Sequence, residues 1–351
     1  MGISDRVRFP QAFPTGLVVG DEFSEFSESL LRFLSLFVNM GAYVVHPSGE
    51  GGSIETFAKV MAQAREVPEG WPVIINLVPN TEYTEDLVVP QELAETHDFY
   101  VMNPFEDYTE SEHTINFTGD IILPEIHTWP TRRKMFNLFG IQTQNIEFQT
   151  DSGWDCNVRR GQHSNMTVKR RHQAEGSKMW FHDCILDGNF TMEDLDNGTA
   201  GSHLYISHCS MINSDNPEAA FKLRGSYTFQ IIESYVQWFF STGGGLFNFN
   251  SGAFFTGYVK LTGNSFICWM SGSPLLFRNG INTNIEWEGN NTIQKRSGGA
   301  SSFDFGAVQK NTGWPDCRLE GILPTNPPNG CRASDDKSDY KDKVWNGTAW
   351  G

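Results

Sequence analysis

The sequence predicts an all-β chain wound as a right-handed parallel β-helix, a solenoid with a short helical N-terminal segment and an irregular C-terminal tail. Three observations carry this. An apolar phrase recurs five times, as Met179-Trp-Phe-His-Asp-Cys-Ile185, Leu204-Tyr-Ile-Ser-His-Cys-Ser210, Gln230-Ile-Ile-Glu-Ser-Tyr-Val236, Val259-Lys-Leu-Thr-Gly-Asn-Ser-Phe266 and Ile285-Glu-Trp-Glu-Gly-Asn-Asn-Thr-Ile293. With Phe181, Ile206, Ile232, Leu261 and Trp287 aligned, the steps are 25, 26, 29 and 26 residues. A second short phrase follows each one: Phe190-Thr-Met192, Phe221-Lys-Leu223, Phe247-Asn-Phe249, Leu276-Phe-Arg278 and Phe303-Asp-Phe305, at steps of 31, 26, 29 and 27. Third, a column of small polar or thiol residues keeps pace, with Cys184, Cys209, Asn264 and Asn290 three after their anchors and Ser234 two after Ile232.

A strand of three or four residues buries too little to stand alone, so each must lie on its equivalent from the next coil. Stacking at about 4.8 Å pairs every backbone donor along the axis, while loops of any length project sideways. A propeller needs four longer strands per period, and a helical or leucine-rich repeat needs a 3.6 period or leucine spacing; neither pattern is present. In the polar column, stacked hydroxyls and amides can bond to one another, and a free cysteine acts as a small apolar filler.

Composition narrows the function classes. The chain has 351 residues with 27 Phe, 34 Gly and 10 Trp, which marks an aromatic, turn-rich β protein large enough for a sizeable core. A net charge of −16 argues against nucleic acid, whose backbone is bound by clustered positive surface. The basic clusters Arg132-Arg133-Lys134, Arg159-Arg160 and Lys169-Arg170-Arg171 read as solvated faces or as docking patches for an acidic partner. The six cysteines show no CxxC and no His/Cys spacing of the zinc kind, so neither metal nor cofactor is expected; Cys317 and Cys331 form the one pair that could bridge. The N-terminus lacks the features of a signal peptide and no apolar run is long enough to span a bilayer, so no secretion or membrane insertion is expected.

Three regions follow. Residues 1–50 hold an arm and an amphipathic helix over 22–40, whose Phe26, Leu30, Phe33 and Phe37 form one face that needs a partner, either the open end of the solenoid or sister chains. Residues 51–312 form the β-helix, entered through a second helix over 54–65. Residues 313–351 are an extended tail rich in Pro, Gly and Asp, whose Trp345 and Trp350 are too apolar to stay in water and are expected at an assembly contact.

The entry order is a short helix, the strand Val73-Ile-Ile-Asn-Leu-Val78, a Pro/Asn turn, then Tyr83-Thr-Glu-Asp-Leu-Val-Val-Pro90. It resembles the first coil of pectin-lyase-like right-handed β-helix proteins. The resemblance continues through Phe99-Tyr-Val-Met102, Thr114-Ile-Asn-Phe117, Ile121-Ile-Leu123 and Asn145-Ile-Glu-Phe148, and covers most of residues 50–310. It implies architecture more than activity, because that superfamily includes lyases, esterases, glycoside hydrolases and bacteriophage tailspikes. The terminal Trp-Asn-Gly-Thr-Ala-Trp phrase is similar to short aromatic tails that end some tailed-phage structural proteins.

For chemistry, the position before the polar column carries Asp183, His208 and Glu233, then Gly263 and Gly289. Titratable groups one coil apart would lie near 5 Å from each other, close enough to act as acid and base. Glu193, Asp194 and Asp196 form a second acidic cluster, read as a turn solvated by its own acids, with calcium binding or action on a glycan as the alternative. Trp238 is the candidate for stacking on a sugar, with Arg132 and Arg133 as candidate binding groups. No Gly-x-Ser-x-Gly elbow and no phosphate-cradling motif occurs. The expectation is therefore a structural protein of a tailed-phage virion: a homotrimeric external projection, whether capsid decoration, short fibre or tailspike, that meets other virion proteins and a host-surface glycan without catalysis. The alternatives are a polysaccharide-processing enzyme using Asp183, His208 and Glu233, and a glycan-binding module without turnover.

Overall fold

The computed structural model describes residues 41–351 apart from 105–113, 127–132, 152, 171–177, 195–201, 214–219, 225–226, 239–245, 251–256, 270–274, 296–303, 320–322 and 336–342. It is a parallel β-solenoid with three sheets running along its axis, of 11, 12 and 8 strands among the described residues. Eleven stacked strands make the first sheet about 48 Å long at the usual spacing of about 4.8 Å.

One coil shows the plan. Lys178–His182 lies in the first sheet, Ile185–Gly188 in the second and Thr191–Asp194 in the third. The next coil repeats it with Ser202–Ser207, Ser210–Asn213 and Phe221–Arg224. Each recurring phrase therefore bends in its middle and supplies two strands, so two phrases make three sheets. Alternation sends Met179 and Phe181 into the core and leaves Trp180 and His182 outside. The interior is aromatic: Phe247 packs within 5.5 Å, centroid to centroid, of Phe221, Phe229 and Phe277.

Register corrects three alignments. The strand partners run Phe181, Ile206, Ile231, Leu261 and Trp287, so Ile231 and not Ile232 is the equivalent. Ser234 then falls three after its anchor, like the other column members. In the last coil the column residue is Asn291, because Gly289-Asn290 adds one residue to the turn; Asn291 is buried and Asn290 exposed. In the third sheet the partners are Met192, Phe221, Phe247 and Phe277, in place of Phe190 and Leu276.

The polar column forms a hydrogen-bonded ladder. Cys209 N–H donates to Ser234 Oγ at 3.1 Å, Ser234 N–H to Asn264 Oδ1 at 2.9 Å, and Asn264 N–H to Asn291 Oδ1 at 2.9 Å. All six cysteines are buried thiols outside any disulfide, and the Sγ atoms of Cys317 and Cys331 lie 3.3 Å apart.

Stacking begins before residue 51 and runs past 312. The first strand among the described residues is Ala42–Val45, and Asp316–Leu319 and Arg332–Asp335 add two further strands to the second sheet. A short helix, Phe57–Ala64, closes the N-terminal end by burying Phe57, Val60, Met61 and Ala64. Its first turn is held by the Glu85 carboxylate, which accepts from Phe57 N–H at 2.8 Å and Ala58 N–H at 3.1 Å. The helix starts later than residue 54 because Ile54 bridges to Val45. At the other end, Lys343–Val344 pairs antiparallel with Arg332–Asp335, and the rings of Trp345 and Trp350 pack 5.5 Å apart, tilted by 57°, against the last coils. Trp345 and Trp350 thus pack within their own chain, because a turn at Asn346 brings the two rings together. The expected helix over 22–40, with Phe26, Leu30, Phe33 and Phe37, lies outside the described residues. No helix among the described residues is long and apolar enough to cross a membrane.

Candidate functional site

The bend between the first and second sheets needs one residue in the left-handed conformation, and from residue 140 onward every coil supplies it at the same place. Gly140, Arg160, Asp183, His208, Glu233, Gly263, Gly289 and Gly313 have φ of 68, 50, 53, 54, 45, 65, 68 and 71°. Glycine takes this conformation without strain, and Asn, Asp and His are the next best suited. The three candidate catalytic residues therefore occupy consecutive places in one row of turns, each held by a backbone bond to the next coil: Asp183 N–H to Ser207 O, His208 N–H to Ile232 O and Glu233 N–H to Thr262 O.

The fold brings the trio together and adds a member that the turn column alone does not contain. His182 is the last residue of its strand, facing out beside the turn row. Its Nδ1 meets Ser207 Oγ at 2.8 Å and its Nε2 lies 3.3 Å from Asp183 Oδ2. His208 Nε2 meets Glu233 Oε2 at 2.9 Å, and the rings of His182 and His208 touch edge to face at 5.1 Å. One ligating atom from each of His182, Asp183 and His208 lies within 4.8 Å of the others. All four side chains are accessible, from 39% for His182 to 63% for Glu233.

Next to this row, the outer face of the first sheet carries a flat aromatic strip that was also missed. Trp180 and Tyr205 are register partners and stack at 5.6 Å with 15° between ring planes. His203 continues the strip against Tyr205 at 13°. Burial, reinforced by Lys178, Arg133 and Arg170, holds the His203 imidazole below its usual pKa and so favours the neutral ring. Lys178 stands over Trp180 at 5.8 Å. The signal for this strip was present in the aligned phrases, where Trp180 and Tyr205 share the position before the inward anchor.

The remaining candidates lie elsewhere. Trp238 ends a strand of the second sheet, where its backbone alone is described, and Arg132 lies outside the described residues. Arg133 bonds to Asp155 at 3.2 Å, a partly buried ion pair on the first sheet. Glu193 is paired with Lys222 at 2.7 Å, which takes it out of the expected acidic turn; the side chain of Asp194 and all of Asp196 lie outside the described residues.

Fold and surface together define the class as a parallel β-solenoid with an aromatic strip and a polar turn row on adjoining surfaces. Compared with protein-family models, curated proteins and solved structures, the chain shows no match to any of the three.

Proposed function

We propose that this protein is a non-catalytic external projection of a tailed-bacteriophage particle, and that the outer face of its first sheet binds a host-surface glycan. The observation that carries the binding part is the stacked strip of Trp180, Tyr205 and His203, set on a rigid sheet beside hydrogen-bonding groups. Flat aromatic faces cover the apolar faces of sugar rings, and bordering carboxylates and imidazoles can take their hydroxyls. Both solenoid ends carry covering segments, which suits a discrete rod over an end-to-end fibre. The particle assignment leans on the aromatic tail phrase, and the homotrimer on the apolar face of Phe26, Leu30, Phe33 and Phe37.

The test has two parts. Mass spectrometry of particles banded from an infected culture should find the chain in fixed copy number; its absence would end the virion reading. Titration of the full chain with surface polysaccharide of the host should show binding that weakens about tenfold or more in Trp180→Ala. Binding that survives Trp180→Ala and fails in Trp238→Ala would move the site to the second sheet.

One observation favours the enzymatic alternative: the contact of His208 with Glu233 pairs a base with an acid at the surface. Glycan cleavage that disappears in both Asp183→Asn and Glu233→Gln would establish it.

A further inference from the structure

We propose that the turn row carries a binding site for one divalent transition-metal ion of the zinc class, built from His182, Asp183 and His208. The three residues come from two adjacent coils, and one donor atom of each lies within 4.8 Å of the others. A tetrahedral zinc ion with ligands at about 2.1 Å wants donors about 3.4 Å apart. His182 Nε2 and Asp183 Oδ2 already stand at 3.3 Å, so only His208 has to move in, and its side chain is half exposed.

Orientation supports the same ion. Metal-bound imidazoles usually give their second nitrogen to a hydroxyl or carboxylate, which fixes the tautomer and aims the ring. His182 has this arrangement, with Nδ1 on Ser207 Oγ at 2.8 Å and Nε2 turned to Asp183. His208 has a carboxylate partner in Glu233 at 2.9 Å. The backbone is organised as well, since Asp183 and His208 are fixed in left-handed turns and bonded into the next coil.

Residue choice is a separate argument. At this turn position the solenoid uses Gly140, Gly263, Gly289 and Gly313, which meet the conformation without strain. Arg160, Asp183, His208 and Glu233 hold the same conformation in four consecutive coils, at a backbone cost that glycine avoids, and such strained positions cluster where function requires them. Two imidazoles and one carboxylate form a borderline donor set that favours Zn²⁺, Ni²⁺ or Cu²⁺ over the all-oxygen preference of Ca²⁺ and Mg²⁺. The alternative is a solvated polar row whose hydrogen bonds are its whole purpose, and that row would not retain metal.

The experiment is calorimetric titration of the chelator-stripped full chain with Zn²⁺, repeated with Co²⁺ and read by its visible absorption. One ion per chain is expected, at about 10 µM or tighter. Affinity should fall at least tenfold in His182→Ala and in His208→Ala, with unchanged circular dichroism, and remain in the surface control His46→Ala. Glu233→Gln should weaken binding about tenfold, as loss of an orienting partner does. No binding up to about 100 µM, binding in both histidine variants as tight as in the unsubstituted chain, or displacement by millimolar Ca²⁺ would each overturn the site.

Discussion

The hydroxyl of Tyr227 reaches across one whole coil to bond Thr283 Oγ1 at 2.6 Å, passing over Gly257 on the way. The three residues are in register on successive strands of the first sheet, and a methyl group added at Gly257 would come within 2.0 Å of the Tyr227 ring. Gly257 is thus required by a neighbour's ring and not by its own backbone. Gly257→Ala should destabilise the fold by about 3 kcal/mol or more, because a buried ring must leave its rotamer and its hydrogen bond. Tyr227→Ser should recover part of the loss in the double variant, with a coupling energy of at least about 1 kcal/mol by urea unfolding. Simple additivity of the two changes would show that the ring is not the obstacle.

The amide ladder makes a second prediction. Asn264 accepts from Ser234 N–H at 2.9 Å and donates to Ile231 O at 2.7 Å, both in the dry interior. Asn264→Leu keeps the branched outline of the side chain but leaves that donor and that acceptor without partners, at about 1–3 kcal/mol each. The urea midpoint should fall by the equivalent of about 3 kcal/mol with an unchanged slope. A shift below about 0.5 kcal/mol would make the ladder decorative.

Much of this architecture was legible, and the misses have identifiable causes. Period and alternation reveal stacked strands because every coil must bury one side, as Phe181, Ile206 and Leu261 do. The second sheet was hidden because its strands, such as Ile185–Gly188, follow a left-handed bend with no break in the apolar phrase. Ile231 and Ile232 are equally apolar, so only hydrogen-bond register decides which faces inward. The extra residue in the turn at Gly289-Asn290 moves the ladder to Asn291 by the same logic. Asp183, His208 and Glu233 were readable as a column, but His182 was not, since it belongs to the preceding strand and meets His208 only through stacking.

The turn row should also show a conflict between stability and function. Glu233 holds φ at 45° and is mostly exposed, so its contact with His208 offsets little of its backbone cost. Asparagine tolerates this conformation better. Glu233→Asn is expected to raise stability by about 0.5–1 kcal/mol in urea unfolding. A loss of more than about 1 kcal/mol would mean that the His208 contact stabilises the turn.

Alkaline pH should weaken the fold through groups buried in their neutral forms. Burial pushes the Cys156 thiol from 9.0 to about 12, and the Tyr43 and Tyr83 hydroxyls from 10.0 to about 12. Contact with Cys184 and burial raise Cys209 further, and burial with contact to Cys331 raises Cys317, both in the same sense. A folded pKa above the unfolded one contributes stability in full below the unfolded value and loses it as pH rises toward the folded value. The window therefore opens near pH 9 with the thiols and widens near pH 10 with the tyrosines. Lys295, lowered by burial, opposes this, as does Cys184, which, despite its burial, contact with Cys209 and His163 holds well below the usual thiol range, so that the Cys184–Cys209 pair largely cancels. From pH 9 to 11, Cys156 alone should forfeit about 2 kcal/mol and each tyrosine about 1 kcal/mol. Urea midpoints should be level from pH 7 to about 9 and fall steeply beyond it, less steeply between 9 and 10 in Cys156→Ala. Midpoints that hold to pH 11 would show that these groups ionise in place and that the interior admits water.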